Sequence, residues 1–432
     1  MNLTLTDILT ILVLGSGARE HAICWKLKLQ NPNLRIMCAP GNAGIAREFT
    51  CFPDVKATDI EAVLKLIEDQ NVDFVVVGPE DPLATGIVDA CMLHGIKICG
   101  PTQAAAELES SKSKAKRYLD MAGVPQAAYF IATDYRDAIE ELDKFTLAHP
   151  YPVVIKDDEL CAGKGVTICT DRFQALLALY KILATKAGKQ GRSTVAVVEA
   201  FLVGQELSPI AFCDGRTATI IGDAQDCKPA RPGGPMTGGM RTYSPVPFLT
   251  ERDREQIQEI FNAVLKLMAD LGHPYHGILF MGAILTPDGI KVLEFNVRFG
   301  DTECQSLLKR LESNLLELLW ATTEPGALQG MNIQMSQNAV VSVAVCTEGY
   351  PDGKLKTGQV ITGLEEAQAV CTVFHAGTKL NDAGELVNSG GRVFTCTAEG
   401  ETIPQAAQLA YAGASKIKFE GAWYRENDIQ GF

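Results

Sequence analysis

At 432 residues, 47% of them apolar, the chain is long enough for about three domains of ~150 residues, each with a sizeable core. A formal charge of −13 with no long basic run argues against nucleic acid or an anionic membrane as the main partner, though a local basic pocket can still hold a phosphorylated substrate. Thirteen cysteines without a CxxC pair suit reduced thiols in a cytoplasmic protein better than a zinc site or a disulfide framework. No run of 18 apolar residues is present, and the start MNLTLTDILTILVLGSG has no basic region, so it reads as a first strand rather than a signal peptide.

Residues 1–106 read as repeated βα units. Apolar strands are expected at 11–14, 34–38, 74–77 and 96–99, each ending in a glycine turn. That pattern predicts a doubly wound parallel sheet, whose ligands bind at the carboxyl ends of the strands. The first turn, Gly15-Ser16-Gly17, opens a helix through His21, Trp25 and Leu29. Glu20 stands where a dinucleotide fingerprint needs its third glycine, so that motif is incomplete. Two glycines at a helix N-terminus still make a phosphate cradle, with Arg19 adding charge.

Residues 107–125 are expected to form one helix carrying Lys112, Lys114, Lys116 and Arg117. A solvated face accounts for most of these; Lys112, near the helix start, is the one expected to meet phosphate. A strand at 152–156 ends in Lys156 and leads into Asp157-Asp158-Glu159 and Gly163-Lys164-Gly165. No Walker spacing is present, so the second stretch reads as a flap whose Lys164 can close over phosphates. A strand at 195–198 runs into Glu199 and, seven residues on, Glu206. The glycine-rich loop from Asp226 to Met240 lets backbone approach a ligand closely and is expected to be ordered.

Residues 250–271 read as an amphipathic helix opened by Thr-x-x-Asp. Strands at 277–285 and 290–299 flank Thr286-Pro287-Asp288-Gly289, a hairpin turn. In the second, Leu293, Phe295, Val297 and Phe299 share one face and Glu294, Asn296 and Arg298 the other. Alternate residues lie about 6.6 Å apart, so Glu294 and Asn296 can share a metal–phosphate site with oxygen ligands that suit Mg²⁺. Arg298 can then hold a phosphate or carboxylate as a fork. A helix at 307–322 follows, then short strands at 339–346, 359–361, 371–374 and 392–397. His375 is expected to be a structural loop histidine.

These pieces together resemble the ATP-grasp superfamily, and within it the phosphoribosylamine–glycine ligase family. The resemblance runs in unbroken order through GSGAREHA (15–22), APGNAG (39–44), VGPEDPLATGIVDA (77–90), GPTQAAAELESSK (100–112), KDDELCAGKGV (156–166), EAFLVGQELS (199–208), GPMTGGM (234–240), YSPVP (243–247), LEFNVRFGDTECQ (293–305), FHAGT (374–378) and GGRV (390–393). It implies an α/β and α+β architecture: an N-terminal sheet domain (1–106), an ATP-grasp domain (107–325) with a mobile flap at about 126–198, and a small mixed C-terminal domain (326–432). It further implies ATP and Mg²⁺ or Mn²⁺ as cofactors, glycine and 5-phosphoribosylamine as substrates, and a monomeric or dimeric state.

By that resemblance Lys112, Lys156 and Lys164 meet ATP, Glu199 sits at the adenine hinge and Glu206 at the ribose. Glu294 and Asn296 bind the metal; Arg298 and Asp301 complete the acceptor side. Gly15, Gly17, Arg19, Asn42, Gly78, Pro79 and Glu80 face the phosphoribosylamine. The implied chemistry is an acyl phosphate of glycine attacked by the amine, which needs charge neutralisation, alignment and exclusion of water but no side-chain nucleophile. The chain departs from the family pattern at Asp157, Glu159, Gln205, Cys227, Pro229, Met236 and Thr302. Those departures leave open another carboxylate or amine substrate, or a nucleotide-binding paralogue without catalysis. Asp157 and Glu159 either repel the nucleotide or turn to water or to a lysine such as Lys112; the second is favoured.

Overall fold

A computed structural model describes residues 9–160, 165–185, 194–231, 233–426 and 429. Its first sheet is all parallel, in the spatial order Thr50–Cys51, Arg35–Pro40, Thr10–Gly15, Phe74–Val77, Lys97–Cys99. Both faces are covered. Leu12, Leu14, Met37, Val75 and Val77 join one core, and Ile11, Val13, Ile36, Phe74 and Val76 the opposite one. Burial on both faces is why these strands are unbroken apolar runs.

The flap is a second, antiparallel sheet of Tyr129–Ala132, Ala196–Ala200, Val153–Asp157 and Val166–Cys169. Helices Tyr135–Ala148 and Arg172–Leu179 pack on it around a core of its own, including Leu142, Val153, Ile155 and Leu179.

The largest sheet runs through Gly289–Asn296, His276–Thr286, Gln205–Asp214, Ala218–Asp226 and Arg241–Ser244, then on through Ala339–Thr347, Arg392–Gly400 and Thr372–His375. The strand Arg241–Ser244 pairs with Ala218–Asp226 on one side and Ala339–Thr347 on the other. The C-terminal strands are therefore an extension of the central sheet.

Several sequence expectations change. The basic helix is two helices, Glu107–Ser110 and Lys112–Met121, because Ser111 turns extended and its hydroxyl caps Lys114 N–H. The 307–322 helix is also two, Glu303–Arg310 and Leu315–Ala321, the second capped by Asn314. Residues 359–361 make one isolated bridge, Val360 to Val387, and no strand. The helix Glu251–Asp270 has the expected Thr250–Asp253 capping box, and the 286–289 hairpin stands as read.

The strand that carries Glu294 and Asn296 ends at Asn296, so Arg298 lies on the bend beyond it. Its pairing slips between Gly282 and Ala283, which oppose Glu294 and Val292, so Leu293 is the extra residue of a bulge. Leu293 therefore leaves the apolar row, while Val292, Phe295 and Val297 stay in the core.

Candidate functional site

A cavity of about 550 Å³ opens between the flap, the central sheet and the loops of the parallel sheet. The flap side presents two lysines. Lys156, one residue before the end of its strand, places Nζ 2.8 Å from Glu199 Oε1 and donates to the Leu293 carbonyl at 3.0 Å. Lys116 lies 3.0 Å from Glu199 Oε2. All three side chains are buried. Burial lowers the Lys116 pKa; Glu199 opposes that and Lys156 adds to it. Lys116 thus leaves the solvated face expected of it, because its helix lies against the strand bearing Glu199.

Lys112 also lines the cavity, and its Nζ donates to the Glu159 carbonyl at 2.8 Å. Asp158 accepts from Ser113 N–H at 2.6 Å and from the Ser111 hydroxyl. The flap strand is thereby tied to the N-terminus of the helix Lys112–Met121. Asp157 is buried rather than turned to water, and neither it nor Glu159 lines the cavity. Lys164, the expected flap lysine, lies outside the described residues. Phe201, Leu202, Val203 and Glu206, just past the flap strand Ala196–Ala200, also line the cavity.

At the centre, Glu294 Oε1 accepts from Lys228 Nζ at 3.0 Å. Lys228, helped against burial by the charge of Lys156, holds the Glu294 carboxyl down at about 2, and Glu294 in turn raises Lys228. Asn296 Oδ1 accepts one bond, from Arg298 at 3.1 Å, and keeps a lone pair. An ionised carboxylate beside a carboxamide oxygen is a hard-oxygen pair that fits a divalent cation. Among the described residues no three His, Cys, Asp or Glu side chains group as a metal cage. A cation here therefore needs further oxygens from a ligand.

The third wall is charged. Asp226, Asp301 and Glu303 line it with Arg298 and Arg392. Burial and then Glu303 push the Asp226 carboxyl up, and Asp226 Oδ1 has no hydrogen-bond partner among the described residues. Arg392 donates to the carbonyls of Gly238 and Asp301 and pairs with Asp301 Oδ2 at 3.2 Å. This C-terminal arginine thus pins the glycine-rich loop to the cavity rim. The loop is ordered as expected: Thr237 donates to the Lys228 carbonyl and Gly238 N–H to the Tyr350 hydroxyl.

The N-terminal loop differs from its reading as an open anion cradle. Glu20 folds back at the third helical position, accepts from Gly17 N–H and pairs with Arg19 at 2.6 Å. A Cβ on Gly78 would meet Glu20 Oε1 at 2.0 Å, so the carboxylate fills the space between the two loops. With glycine at the cap this is half of a capping box: Glu20, at the third helical position, reaches back to the cap N–H, and no cap side chain returns the bond. Asn42 spends its side chain on Gly44 and Ile45 N–H and on the carbonyls of Ser16 and His375. Arg19, Pro79 and Glu80 reach the cavity wall; Gly15, Gly17, Asn42 and Gly78 stand outside it. His375 is buried at that junction, where burial holds its pKa at about 3 and its backbone N–H donates to His21 Nδ1.

Glu109, Lys116, Asp226, Lys228, Glu303 and Arg392 were missed as site residues. Asp226 and Lys228 carried a signal, two charges two apart at a strand end. Arg392 carried none beyond its glycine turn, since only the shared sheet brings it here.

Comparison with known proteins covers nearly the whole chain. The N domain of phosphoribosylglycinamide synthetase matches residues 9–109, its ATP-grasp (A) domain 110–304 and its C domain 340–430. A phosphoribosylamine–glycine ligase of Rhodopirellula baltica is 41% identical over 425 residues, 96% of each chain. The trifunctional purine biosynthetic protein adenosine-3 of Gallus gallus is 42% identical over 96% of this chain and 42% of its own length. The crystal structure of a phosphoribosylamine–glycine ligase of Thermotoga maritima superposes with a TM-score of 0.80 at 31% identity, covering 96% and 99% of the two chains. A biotin carboxylase of Campylobacter jejuni, at 16% identity and TM-score 0.70, shares the fold over 96% of this chain and 93% of its own.

Proposed function

The chain belongs to the phosphoribosylglycinamide synthetase family, and from that premise we propose that its cavity ligates glycine to 5-phosphoribosylamine, giving glycinamide ribonucleotide, ADP and phosphate, in purine biosynthesis in the cytoplasm. The observation that carries this reading is one cavity lined by both a buried lysine pair and an acid–arginine wall around Glu294 and Asn296. It supports ATP on the flap side and the two acceptors opposite.

Lys112, Lys116 and Lys156 neutralise phosphate charge. Glu199 holds two of those lysines for the nucleotide, and Glu206 faces the ribose. Glu294 and Asn296 hold Mg²⁺ or Mn²⁺, which offsets the triphosphate charge when bound. The glycine carboxylate takes the γ-phosphoryl group to give glycyl phosphate. Arg298, Asp301 and Arg392 order that side, and Asp226 Oδ1, without a hydrogen-bond partner among the described residues, can accept from an ammonium group. The phosphoribosylamine nitrogen then attacks the acyl carbon and phosphate leaves. Arg19, Pro79 and Glu80 border the entry for the sugar phosphate. Burial keeps water from the acyl phosphate.

The test is ADP release with glycine and freshly made phosphoribosylamine, each omitted in turn. The reading expects dependence on both; ADP formed without either would overturn it.

A further inference from the structure

A guanidinium has five N–H donors, and Arg298 spends four of them inside the protein. Nε donates to Glu80 at 3.0 Å, Nη1 to the Phe299 carbonyl at 3.3 Å, and Nη2 to Glu109 at 2.7 Å and Asn296 at 3.1 Å. One donor, on Nη1, remains for a substrate oxygen, so Arg298 makes a single aimed contact rather than a two-pronged fork. The other oxygen of Glu109 accepts Val297 N–H at 2.7 Å. Glu109 stands on the helix Glu107–Ser110 and Glu80 opens the helix Glu80–Thr85 of the parallel-sheet domain. Two carboxylates from different helices thus hold the bend after the strand Gly289–Asn296.

We propose that Glu109, with Glu80 in support, is a positioning residue for the ligation, fixing Arg298 so that its last donor meets the acceptor. The proposal rests on the ligase reading above. Glutamine is a poor substitute at 109. Its two terminal atoms face two donors, Val297 N–H and Arg298 Nη2–H, so its NH₂ must oppose one of them. Aspartate is one methylene short of spanning both.

The experiment is a double-mutant cycle on the full chain with Glu109→Gln and Arg298→Lys, read by steady-state ADP release and thermal melting. Wild type is assayed first; failure to require glycine and phosphoribosylamine would sink the ligase reading before the cycle is read. The expected result for Glu109→Gln is a fall in kcat of about tenfold or more, with the KM for ATP changed less than about threefold. In the Arg298→Lys background the same substitution should cost less than about threefold, because its target is gone. A variant that melts like wild type and keeps its kcat overturns the proposal, as does full additivity with Arg298→Lys. Should Glu109→Gln not fold, Glu80→Gln enters the same cycle, and additivity there overturns it equally.

Discussion

Glu199→Gln tests the lysine pair that the nucleotide reading needs. Glu199 lies 2.8 Å from Lys156 and 3.0 Å from Lys116, and the three side chains are 3%, 8% and 4% exposed. Removing one partner of a buried ion pair costs about 3–5 kcal/mol, because a charge is left without an opposite. Glutamine keeps one acceptor oxygen, so the lower end, about 3 kcal/mol, is expected at pH 7. Burial already lowers Lys116, and Glu199 is what opposes that lowering. Without Glu199 its folded pKa falls further below the ordinary value of 10.5. Between those two values the unfolded chain binds more protons, so stability rises with pH. The loss should therefore shrink as pH approaches 10.5. Adding Lys116→Met should restore about 1 kcal/mol or more by removing the stranded charge. Urea unfolding followed by circular dichroism reads all three. A loss under about 1 kcal/mol at pH 7, or a double variant less stable than the single one, would refute the buried-pair reasoning.

Glu294→Gln should abolish turnover at limiting Mg²⁺ and leave the fold nearly intact; unchanged turnover would reduce the pair Glu294 and Asn296 to a polar strand face. Thr302→Val should cost about 1–3 kcal/mol in urea unfolding, because the buried Thr242 hydroxyl bonds Thr302 Oγ1; a neutral result would mean that Thr242 finds another partner. Glu159→Gly should change the KM for ATP by less than about tenfold, near 1.4 kcal/mol, since its carboxylate does not line the cavity; a much larger tightening would mean that Glu159 suppresses nucleotide binding.

The parallel sheet was legible because burial on both faces writes each strand as an apolar run. The hairpin at Asp288-Gly289 and the Thr250 cap were legible because turn and cap chemistry are local. What was hidden depends on pairing. The bulge at Leu293 follows from a slip in register with Gly282 and Ala283, which the alternation of one strand does not record. Lys116 reads as a surface lysine until Glu199, from a strand 83 positions on, is placed beside it. Glu20 was read only as a broken dinucleotide fingerprint, although a glutamate three residues past a helix cap can also reach back to the cap N–H. The breaks at Ser111 and Asn314 were written as cap residues and were overridden by helical periodicity around them.

The departures from the family pattern divide by where the fold puts them. Thr302 is buried against Thr242, and Pro229 bridges to Met236 and accepts from Arg425, so these act in scaffolding. Asp157 is buried at a strand end and Glu159 lends its carbonyl to Lys112. Met236 lines the cavity itself, beside Thr237 and Gly238. A thioether there accepts hydrogen bonds weakly and donates none. Any cost of that exchange falls on the loop held by Arg392, which ties it to Asp301. A change in acceptor preference should therefore appear in the KM for glycine or phosphoribosylamine, with ATP binding held by Lys116, Lys156 and Glu199.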